Sequence, residues 1–350
     1  MIDNKDISKF NFSFGMSSAI AEAFGINVLP NPTVGAAVLN IEGDVIATSK
    51  HLGKGTNHAE LDIINKINTD QYKNNNLTLY TTLEPCFHSD TSPSCAKAIV
   101  DSKLFHKVVV GDIDPDIRTN GKGINFIKNN NINVEIEKNA TKFLNPSYIS
   151  SKTNKKVYIV AKLASSNDGY IHSNSQKGRY ITNNYSLKLA HILRGTVDGV
   201  LVGKKTFLVD SPKLNVRYNL DVKQPIPLVL WGEKDNGLKD ISKEYPYINF
   251  ITSSNKSRNK NIIISKGNTT VDIMESLLEN NIRSILIEGG IRTFNFFNND
   301  DLIEIFYHFV ANKKLGKGLF FDLDLSIKNK FTLDHTSTYS EDRLSIYKKI

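Results

Sequence analysis

His58-Ala59-Glu60 is the stretch that decides the fold of the first half of the chain, and it is followed by Pro85-Cys86 and then by Cys95. One imidazole and two thiolates are the ligand set of a catalytic zinc site, in which a fourth position stays open for water. We therefore predict one zinc ion per chain, held by His58, Cys86 and Cys95. Because zinc lowers the pKa of a bound water, the pattern favours hydrolytic chemistry.

Glu60 lies two residues after the histidine, where zinc deaminases with an H-x-E and P-C pattern have their proton-shuttling glutamate. We predict that Glu60 is the catalytic residue. Two plainer explanations stay open at this point. Asn57 and Glu60 also fit a capping box that opens a helix, and a free cysteine is usually a small core residue. The chain has only two cysteines, however, and both follow this motif closely, which favours zinc.

The spacing of the cysteines narrows the class of deaminase. Eight residues separate Cys86 from Cys95, whereas nucleobase and tRNA deaminases use Cys-x-x-Cys. Together with Thr82-Leu83-Glu84-Pro85-Cys86, Asn31-Pro32-Thr33-Val34-Gly35 and Asp114-Pro115, this half resembles the deaminase domain of the bifunctional deaminase/reductase family of riboflavin biosynthesis. The resemblance implies a cytidine-deaminase-like three-layer α/β/α domain. It also implies contacts with a pyrimidine substrate at Asn31, His51, His88 and Asp114.

The second half contains a strand-like run that ends in paired glycines, Ile285-Leu286-Ile287-Glu288-Gly289-Gly290, with a helix start after it. Such a turn lets the backbone approach a phosphate at a helix N-terminus, although paired glycines are more often simple turn residues. With Lys162-Leu163-Ala164-Ser165-Ser166 and the segment 210–217, this half resembles the dihydrofolate-reductase-like α/β reductase domain of the same family.

This second resemblance implies that the reductase domain uses NADPH. The implied cofactor contacts are Ala164, Tyr180, Thr206, Asp210, Gly290, Ile291, Arg292, Thr293, Phe294, Asn295 and Phe296. The implied substrate contacts are Lys162, Gly178, Arg194, Leu214, Arg217 and Glu288. The two arginines suit a phosphorylated substrate, since a guanidinium pairs bidentately with phosphate oxygens, but each also fits a surface ion pair.

Four positions depart from the family pattern. Tyr180 stands where many members have Trp, and Gly178 stands where Ser is usual. Asp116 replaces a common Asn, and Thr91 replaces the basic residue that would hold the substrate phosphate in the deaminase loop. None of these changes touches the metal ligands, so we expect a working deaminase with a raised KM.

Length and composition set further limits on the protein. A chain of 350 residues with 40% hydrophobic residues is long enough for two globular domains. The net charge of +8 is scattered along the chain, so we expect small phosphorylated pyrimidines as partners and no nucleic acid. We also expect no membrane span, a cytoplasmic protein with reduced cysteines, and a homo-oligomer.

Alternating strand-like and helix-like segments predict α/β architecture in both halves. A polar, Ser- and Lys-rich stretch near residues 145–156 places the domain boundary, so that the deaminase domain spans 1–148 and the reductase domain 149–350. The predicted strands are 36–39, 77–82, 107–110, 157–163, 197–203, 228–231, 284–288 and 303–310. The predicted helices are 58–67, 96–103 and 186–194, the last with its cap near Thr182 or Asn183.

The sequence therefore predicts a bifunctional enzyme of riboflavin biosynthesis. It would deaminate a diaminopyrimidinone ribosylamino phosphate with zinc and then reduce the ribosyl group to a ribityl chain with NADPH. The alternative is a nucleobase or RNA deaminase with an unrelated C-terminal binding domain, which should show a concentrated basic surface and stacking aromatic residues. A binding protein that keeps only the fold is also conceivable, but it should have lost a zinc ligand or Glu60.

Overall fold

The computed structural model describes residues 12–24, 28, 31–67, 72, 77–88, 94–137, 144–172, 181–218, 224–254, 259–288 and 290–350. The chain divides into two compact units, Met1–Asn154 and Lys155–Ile350. Within the described ranges, no helix has both the length and the apolar character needed to cross a membrane.

The described residues of the first unit form five strands and five helices. The strands are β1 (Gly35–Leu39), β2 (Val45–Lys50), β3 (Leu77–Thr81), β4 (Phe105–Val110) and β5 (Asn133–Ile136). The helices are α1 (Phe14–Ala23), α2 (Ala59–Lys66), α3 (Cys95–Ser102), α4 (Lys122–Asn129) and α5 (Pro146–Thr153).

These strands form one sheet in the order β2-β1-β3-β4-β5, in which β1 is antiparallel to β2 and β3, and β3, β4 and β5 are parallel. The parallel pairs need crossover connections, which α3 and α4 supply. Alternate residues of β1 pack on opposite faces, because Val38 lies in a cluster with Ile63 of α2 while Ala37 packs near Ala19 of α1. Helices cover both faces, so the predicted three-layer α/β/α fold is confirmed.

The second unit is larger, and its described residues form eleven strands. They are β6 (Tyr158–Ser166), β7 (Tyr170–His172), β8 (Gly199–Gly203), β9 (Ile226–Leu230), β10 (Asn249–Thr252), β11 (Ile262–Ile264), β12 (Ser284–Glu288), β13 (Ile303–Ala311), β14 (Leu319–Phe320), β15 (Phe331–Tyr339) and β16 (Asp342–Lys349). The described helices are α6 (Asn184–Arg194), α7 (Lys204–Asp210), α8 (Leu238–Glu244), α9 (Thr270–Glu279), α10 (Ile291–Asn298) and α11 (Leu323–Ile327).

Nine of these strands make one sheet in the order β11-β10-β9-β8-β12-β6-β13-β16-β15, and β7 pairs with β14. The strands from β11 to β13 are parallel, whereas β16 and β15 close the sheet with antiparallel pairs. Phe294 of α10 lies in the core on one face and Phe207 of α7 in the core on the other. In open parallel sheets, ligands bind at the edge where the strands have their carboxyl ends, so this edge is where a site is expected.

All eight predicted strands and all three predicted helices are present, with their ends shifted by a few residues. Asn183 is the N-cap of α6, and its side chain accepts a hydrogen bond from the Ser186 N–H. The capping-box explanation of Asn57 is wrong, since α2 has its N-cap at His58.

The polar stretch at the predicted boundary forms helix α5, in which Pro146 occupies the first turn and Tyr148 packs into the core of the first unit. A proline is tolerated at this position because its missing N–H has no helical partner there. The predicted boundary at 148/149 therefore falls inside α5, and the two units part after Asn154.

Candidate active sites

Three elements of the first unit bring the predicted zinc ligands together. His58 is the N-cap of α2, Cys95 is the first residue of α3, and Cys86 lies in the loop after β3. His58 Nδ1 is 3.5 Å from Cys86 Sγ and 3.3 Å from Cys95 Sγ, and the three ligand atoms all lie within 4.8 Å of one another. One nitrogen and two sulfur atoms at this spacing fit zinc with a further position left for a substrate or water.

The two cysteine sulfurs share one hydrogen bond that shifts their pKa values in opposite directions. Hydrogen bonding from Cys95, helped by His58 against the opposing effect of burial, lowers the pKa of the Cys86 thiol to about 4. The same hydrogen bond raises the pKa of Cys95, because the proton that one sulfur gives up is held by the other. The backbone N–H of Cys95 also donates to Cys86 Sγ at 3.4 Å. A dication bound here replaces the shared proton, as thiolate ligation requires.

Glu60 lies in the first turn of α2, and its side chain is buried in the first unit at 3% exposure. The Thr81 hydroxyl donates to Glu60 Oε1 at 3.3 Å. Burial raises the pKa of Glu60, and the nearby charge of His58 opposes this shift only in part. A carboxyl group whose pKa is moved toward neutrality is suited to take up and release a proton in one catalytic cycle.

His51 and Asn31 form a hydrogen-bonded pair beside His58, one of the predicted zinc ligands. His51 Nδ1 lies 3.1 Å from the Asn57 carbonyl oxygen, so Nδ1 carries the proton. Nε2 is then the acceptor for the Asn31 side-chain amide at 3.1 Å. Burial lowers the pKa of His51, which favours the neutral ring. The centroid of this ring lies 5.1 Å from that of the His58 ring. His88, the fourth predicted substrate contact in this unit, follows Cys86 by two residues and is half-buried.

Asp114 lies in a cluster of buried acidic groups that the sequence did not reveal. It accepts hydrogen bonds from the Tyr148 hydroxyl at 2.9 Å and from the Asp116 N–H at 2.8 Å. Burial raises the pKa of Asp114 to about 6. Asp116 is ion-paired with Arg118 and Lys152, each at 2.7 Å, and the hydrogen bond from Arg118 holds its pKa well below the ordinary range.

Glu84 connects the zinc-binding loop to the Asp114 segment, and sequence reasoning assigned it no role. The carboxylate is buried at 3% exposure. It accepts from the N–H groups of Asp114 at 3.2 Å, Gly121 at 2.8 Å and Ile124 at 3.2 Å. Gly121 is the N-cap of α4, so Glu84 supplies the helix cap that a glycine lacks. These contacts join residues up to 40 positions apart in the sequence, so no local sequence pattern predicts them.

In the second unit, Lys162 in the middle of β6 lies beside Glu288, the last residue of the neighbouring strand β12. They are register partners in β6 and β12. Glu288 accepts two hydrogen bonds from Arg194, from Nε at 2.6 Å and from Nη2 at 2.7 Å. Burial opposes ionisation of Glu288, but the contacts with Arg194 outweigh it and the pKa is lowered. Burial also lowers the pKa of Lys162, against the pull of Glu288.

Arg217, the second predicted phosphate ligand, is exposed and lies close to His191, which the sequence reading missed. The Arg217 N–H donates to His191 Nδ1 at 3.0 Å, and Arg217 Nη1 donates to Asn215 Oδ1 at 3.0 Å. Burial, followed by the charges of Arg194 and Arg217, lowers the pKa of His191 to about 4. A signal was present, since His191 precedes Arg194 by three residues and so lies on the same face of α6.

Two glycines, Gly203 and Gly290, lie directly before α7 and α10 and mark a close approach between the starts of these helices. A Cβ on Gly203 would meet Thr293 Oγ1 at 2.4 Å, and one on Gly290 would meet Thr206 Oγ1 at 2.9 Å. Gly290 also has a φ of +77°, a conformation that favours glycine. These glycines and the Thr206 and Thr293 hydroxyls form a cradle at the start of α10, where hydroxyl and helix N-terminal N–H groups are donors of the kind that bind phosphate.

The remaining predicted contacts of the second unit lie on several elements. Ala164 lies in β6, Asp210 ends α7, and Leu214 is buried with a φ of +54°. Ile291, Arg292, Asn295 and Phe296 belong to α10, while the Phe294 side chain is in the core, so only its backbone is available to a cofactor. Gly178, Tyr180 and Thr91 fall outside the described residues.

Comparisons with known proteins match both units. Residues 13–112 match the cytidine and deoxycytidylate deaminase zinc-binding region, and residues 157–345 match the RibD C-terminal domain. The riboflavin biosynthesis protein RibD of Aquifex aeolicus is 33% identical over 302 residues, which cover 83% of this chain and 83% of that protein. The chain belongs to the RibD family.

Solved structures of RibD relatives have the same two-unit fold. Form 1 of Acinetobacter baumannii RibD superimposes with a TM-score of 0.84 at 25% identity, over 96% of this chain and 98% of that chain. A Thermotoga maritima protein, described as a diaminohydroxyphosphoribosylaminopyrimidine deaminase/5-amino-6-(5-phosphoribosylamino)uracil reductase, superimposes with a TM-score of 0.81 at 27% identity, over 96% and 97%.

Membership of the RibD family makes the chain a bifunctional deaminase/reductase of riboflavin biosynthesis, with a zinc-binding deaminase domain and a reductase domain. The predicted fold class and the predicted bifunctional activity are thereby confirmed. The alternative of an unrelated C-terminal binding domain is wrong, because residues 157–345 match the reductase half of the same family.

Proposed function

We propose that the first unit hydrolyses an amino group of a diaminopyrimidinone ribosylamino phosphate and that the second unit reduces the ribosyl group of the product with NADPH. The Thermotoga maritima relative is described by these two reactions. The observation that carries the proposal is the convergence of His58 Nδ1 and two cysteine sulfurs within 4.8 Å, close in sequence to the buried carboxyl group of Glu60.

In the deaminase site, we assign proton transfer to Glu60 and metal binding to His58, Cys86 and Cys95. Bound zinc supplies Lewis-acid activation of water. Glu60 takes up the proton that the attacking water loses and passes it to the departing amine, for which its raised pKa suits it. The Thr81 hydroxyl can donate its one proton to Glu60 Oε1 at 3.3 Å or to the Leu83 carbonyl oxygen at 3.1 Å, so it is available to orient the carboxylate.

The pyrimidine ring is proposed to be oriented by Asn31, His51, His88 and Asp114. Neutral His51 and the Asn31 amide hold one another, so their orientation is set before substrate arrives. Asp114 offers a carboxylate, which only accepts hydrogen bonds when ionised and is therefore suited to the amino and ring N–H groups of a pyrimidine. Tyr148 fixes this carboxylate through its hydroxyl.

In the reductase site, we assign the sugar environment to Lys162 and Glu288 and the phosphate contact to Arg217. NADPH supplies the hydride. Arg194 is engaged by Glu288 and by the Asn215 carbonyl oxygen, so we infer that it orients Glu288. Arg217 is exposed, and Asn215 Oδ1 at 3.0 Å and His191 Nε2 at 3.2 Å hold its guanidinium. Its remaining N–H groups suit a substrate phosphate. Leu214 and Gly178 are the further proposed substrate contacts.

The cofactor is proposed to lie at the carboxyl edge of the nine-stranded sheet. The cradle formed by Gly203, Thr206, Gly290 and Thr293 fits its diphosphate, with the backbone of residues 290–296 around it. Ala164, Tyr180 and Asp210 complete the proposed contacts. We also propose that the active protein is a homo-oligomer that binds no nucleic acid, which gel filtration and a gel-shift assay test directly.

The experiment that tests the deaminase assignment is Glu60→Gln, which preserves side-chain volume and removes proton transfer. Deamination should fall by about 10²–10⁴-fold, while the zinc content and the reduction of pre-formed deaminated substrate stay unchanged. Asp62→Asn is the matched control, because Asp62 lies on the same helix but faces Lys66 at 2.7 Å. Near-normal deamination by Glu60→Gln, or equal loss in the control, would show that Glu60 is not the proton carrier.

A further inference from the structure

A lysine and the only tryptophan of the chain contact each other at the carboxyl edge of the reductase sheet. The Lys204 ammonium lies 3.9 Å from the centroid of the Trp231 ring, a distance at which a cation and an indole attract. Lys204 directly follows β8 and is half-buried, and Trp231 directly follows β9 and is 4% exposed. Trp231 is held by edge contact with Phe250 and by a hydrogen bond to the Asp235 carbonyl oxygen at 3.2 Å. The lysine therefore rests on a fixed platform.

The strand order places this pair at one end of the proposed cofactor site. Strands β9, β8, β12 and β6 are parallel neighbours in that order. Glu288 ends β12 and Lys162 lies beside it within β6. The phosphate cradle lies between the starts of α7 and α10, and Lys204 with Trp231 lies beyond it toward β9. Neighbouring strands are about 4.8 Å apart, so β6 and β9 are separated by about 14 Å. A dinucleotide with its nicotinamide near Lys162 and its diphosphate in the cradle extends its adenosine end toward β9.

We propose that Lys204, held in place by Trp231, is the residue that selects NADPH over NADH by pairing with the 2′-phosphate of the adenosine ribose. This rests on the proposed use of NADPH by the second unit. The 2′-phosphate is the one chemical difference between the two cofactors, and an ammonium group is an effective phosphate ligand. Because Trp231 already restrains the lysine, little side-chain freedom is lost when the phosphate binds. Burial lowers the pKa of Lys204, against the opposing effect of the nearby Asp235 charge.

The neighbouring Lys205 provides a matched control for charge. It lies next to Lys204 on the same helix but is exposed. If general positive charge around α7 attracted the cofactor, Lys204→Met and Lys205→Met would weaken binding equally. If the contact is specific, only the first change has a large effect, and Lys204→Arg retains the preference.

Trp231 permits a binding test that does not depend on catalysis, since all tryptophan fluorescence of the chain comes from this site. The full-length protein is titrated with adenosine 2′,5′-bisphosphate and with adenosine 5′-monophosphate. The bisphosphate should bind more tightly and change the fluorescence. Lys204→Met should weaken binding of the bisphosphate by about ten- to a hundredfold and leave the affinity for the monophosphate unchanged. The ratio of the two affinities should then fall to near unity. Lys205→Met should behave like the unmodified protein.

The kinetic counterpart is the ratio of kcat/KM for NADPH to that for NADH. Lys204→Met should lower this ratio by a similar factor, mainly through the KM for NADPH, and Lys204→Gln serves if the Met variant does not fold. A folded Lys204 variant that keeps both the ratio and the bisphosphate affinity overturns the inference, while the use of NADPH stands. If the unmodified protein does not reduce its substrate with NADPH at all, the proposed function itself fails.

Discussion

Glu84→Gln should uncouple the Asp114 segment from the zinc loop without removing the zinc. The change keeps the side-chain volume but turns a double acceptor into an amide with only one oxygen. In the least costly orientation, the amide oxygen faces Asp114 and Gly121, whose N–H groups both reach Oε2. The amide nitrogen then faces the Ile124 N–H, which loses its contact with Oε1.

The size of the effect follows from these contacts. A buried N–H left without an acceptor costs about 1–3 kcal/mol, and the remaining two hydrogen bonds lose the contribution of the negative charge. The 114–124 segment can relieve this cost by moving away from Glu84, which displaces Asp114 from the pyrimidine. Since about 1.4 kcal/mol corresponds to tenfold in an equilibrium constant, the KM for deamination should rise by about five- to a hundredfold. The value of kcat should change less.

The assay compares deamination kinetics, zinc content and reduction for the same preparation. Glu135→Gln is the control, because Glu135 is a glutamate of the same unit that is ion-paired with Lys107 at 2.8 Å while its side chain is 55% exposed. An exposed pair of this kind contributes about 1 kcal/mol or less, so this control should behave like the unmodified protein. An unchanged KM for Glu84→Gln, or a loss of activity that follows a loss of zinc, would refute the positioning role.

Three further predictions concern the other assigned groups. Cys86→Ser combined with Cys95→Ser should abolish zinc binding and deamination but leave reduction intact, and metal analysis that still finds zinc in the double variant would disprove the ligand assignment. Because burial raises the pKa of Asp114 to about 6, this group takes up a proton as the pH falls through about 6 and stops acting as an acceptor. The KM for deamination should therefore rise below that pH, and Asp114→Asn, which cannot titrate, should remove the step. Arg217→Ala should raise the KM for the reductase substrate by about ten- to a hundredfold, because it removes a charge-assisted phosphate contact. Deamination should not change. An equal loss of both activities would contradict two separate sites.

The elements that sequence patterns predicted well are those whose cores are local in sequence. Strand β12 reads as a short apolar run and is buried at every position, and α6 carries its capping residue Asn183 directly before it. The zinc ligands were also recognisable, because a histidine and two cysteines at fixed spacing have few other uses. Their geometry agrees with the prediction, and their binding of zinc stays a prediction for metal analysis to test.

The elements that were missed depend on partners far away in the sequence. Helix α4 contains Gly123 and two asparagines, which are weak helix formers, yet it forms because Ile124 and Ile127 pack into the core and Glu84 caps its first turn. The polar, Ser- and Lys-rich sequence of helix α5 predicts a domain boundary, whereas the structure packs its Tyr148 into the core of the first unit. Long-range hydrogen bonds of this kind leave no periodic signal.

The central claim is that one chain performs two consecutive reactions in two separate units, and product analysis tests it most directly. The purified protein is incubated with the diaminopyrimidinone ribosylamino phosphate, with and without NADPH, and the products are identified by mass. Without NADPH, the account predicts a product in which an amino group has been replaced by a carbonyl oxygen. With NADPH, that product should gain two hydrogen atoms. The absence of deaminated product in both reactions, or a reduced product that still carries the amino group as the main outcome, would contradict the account.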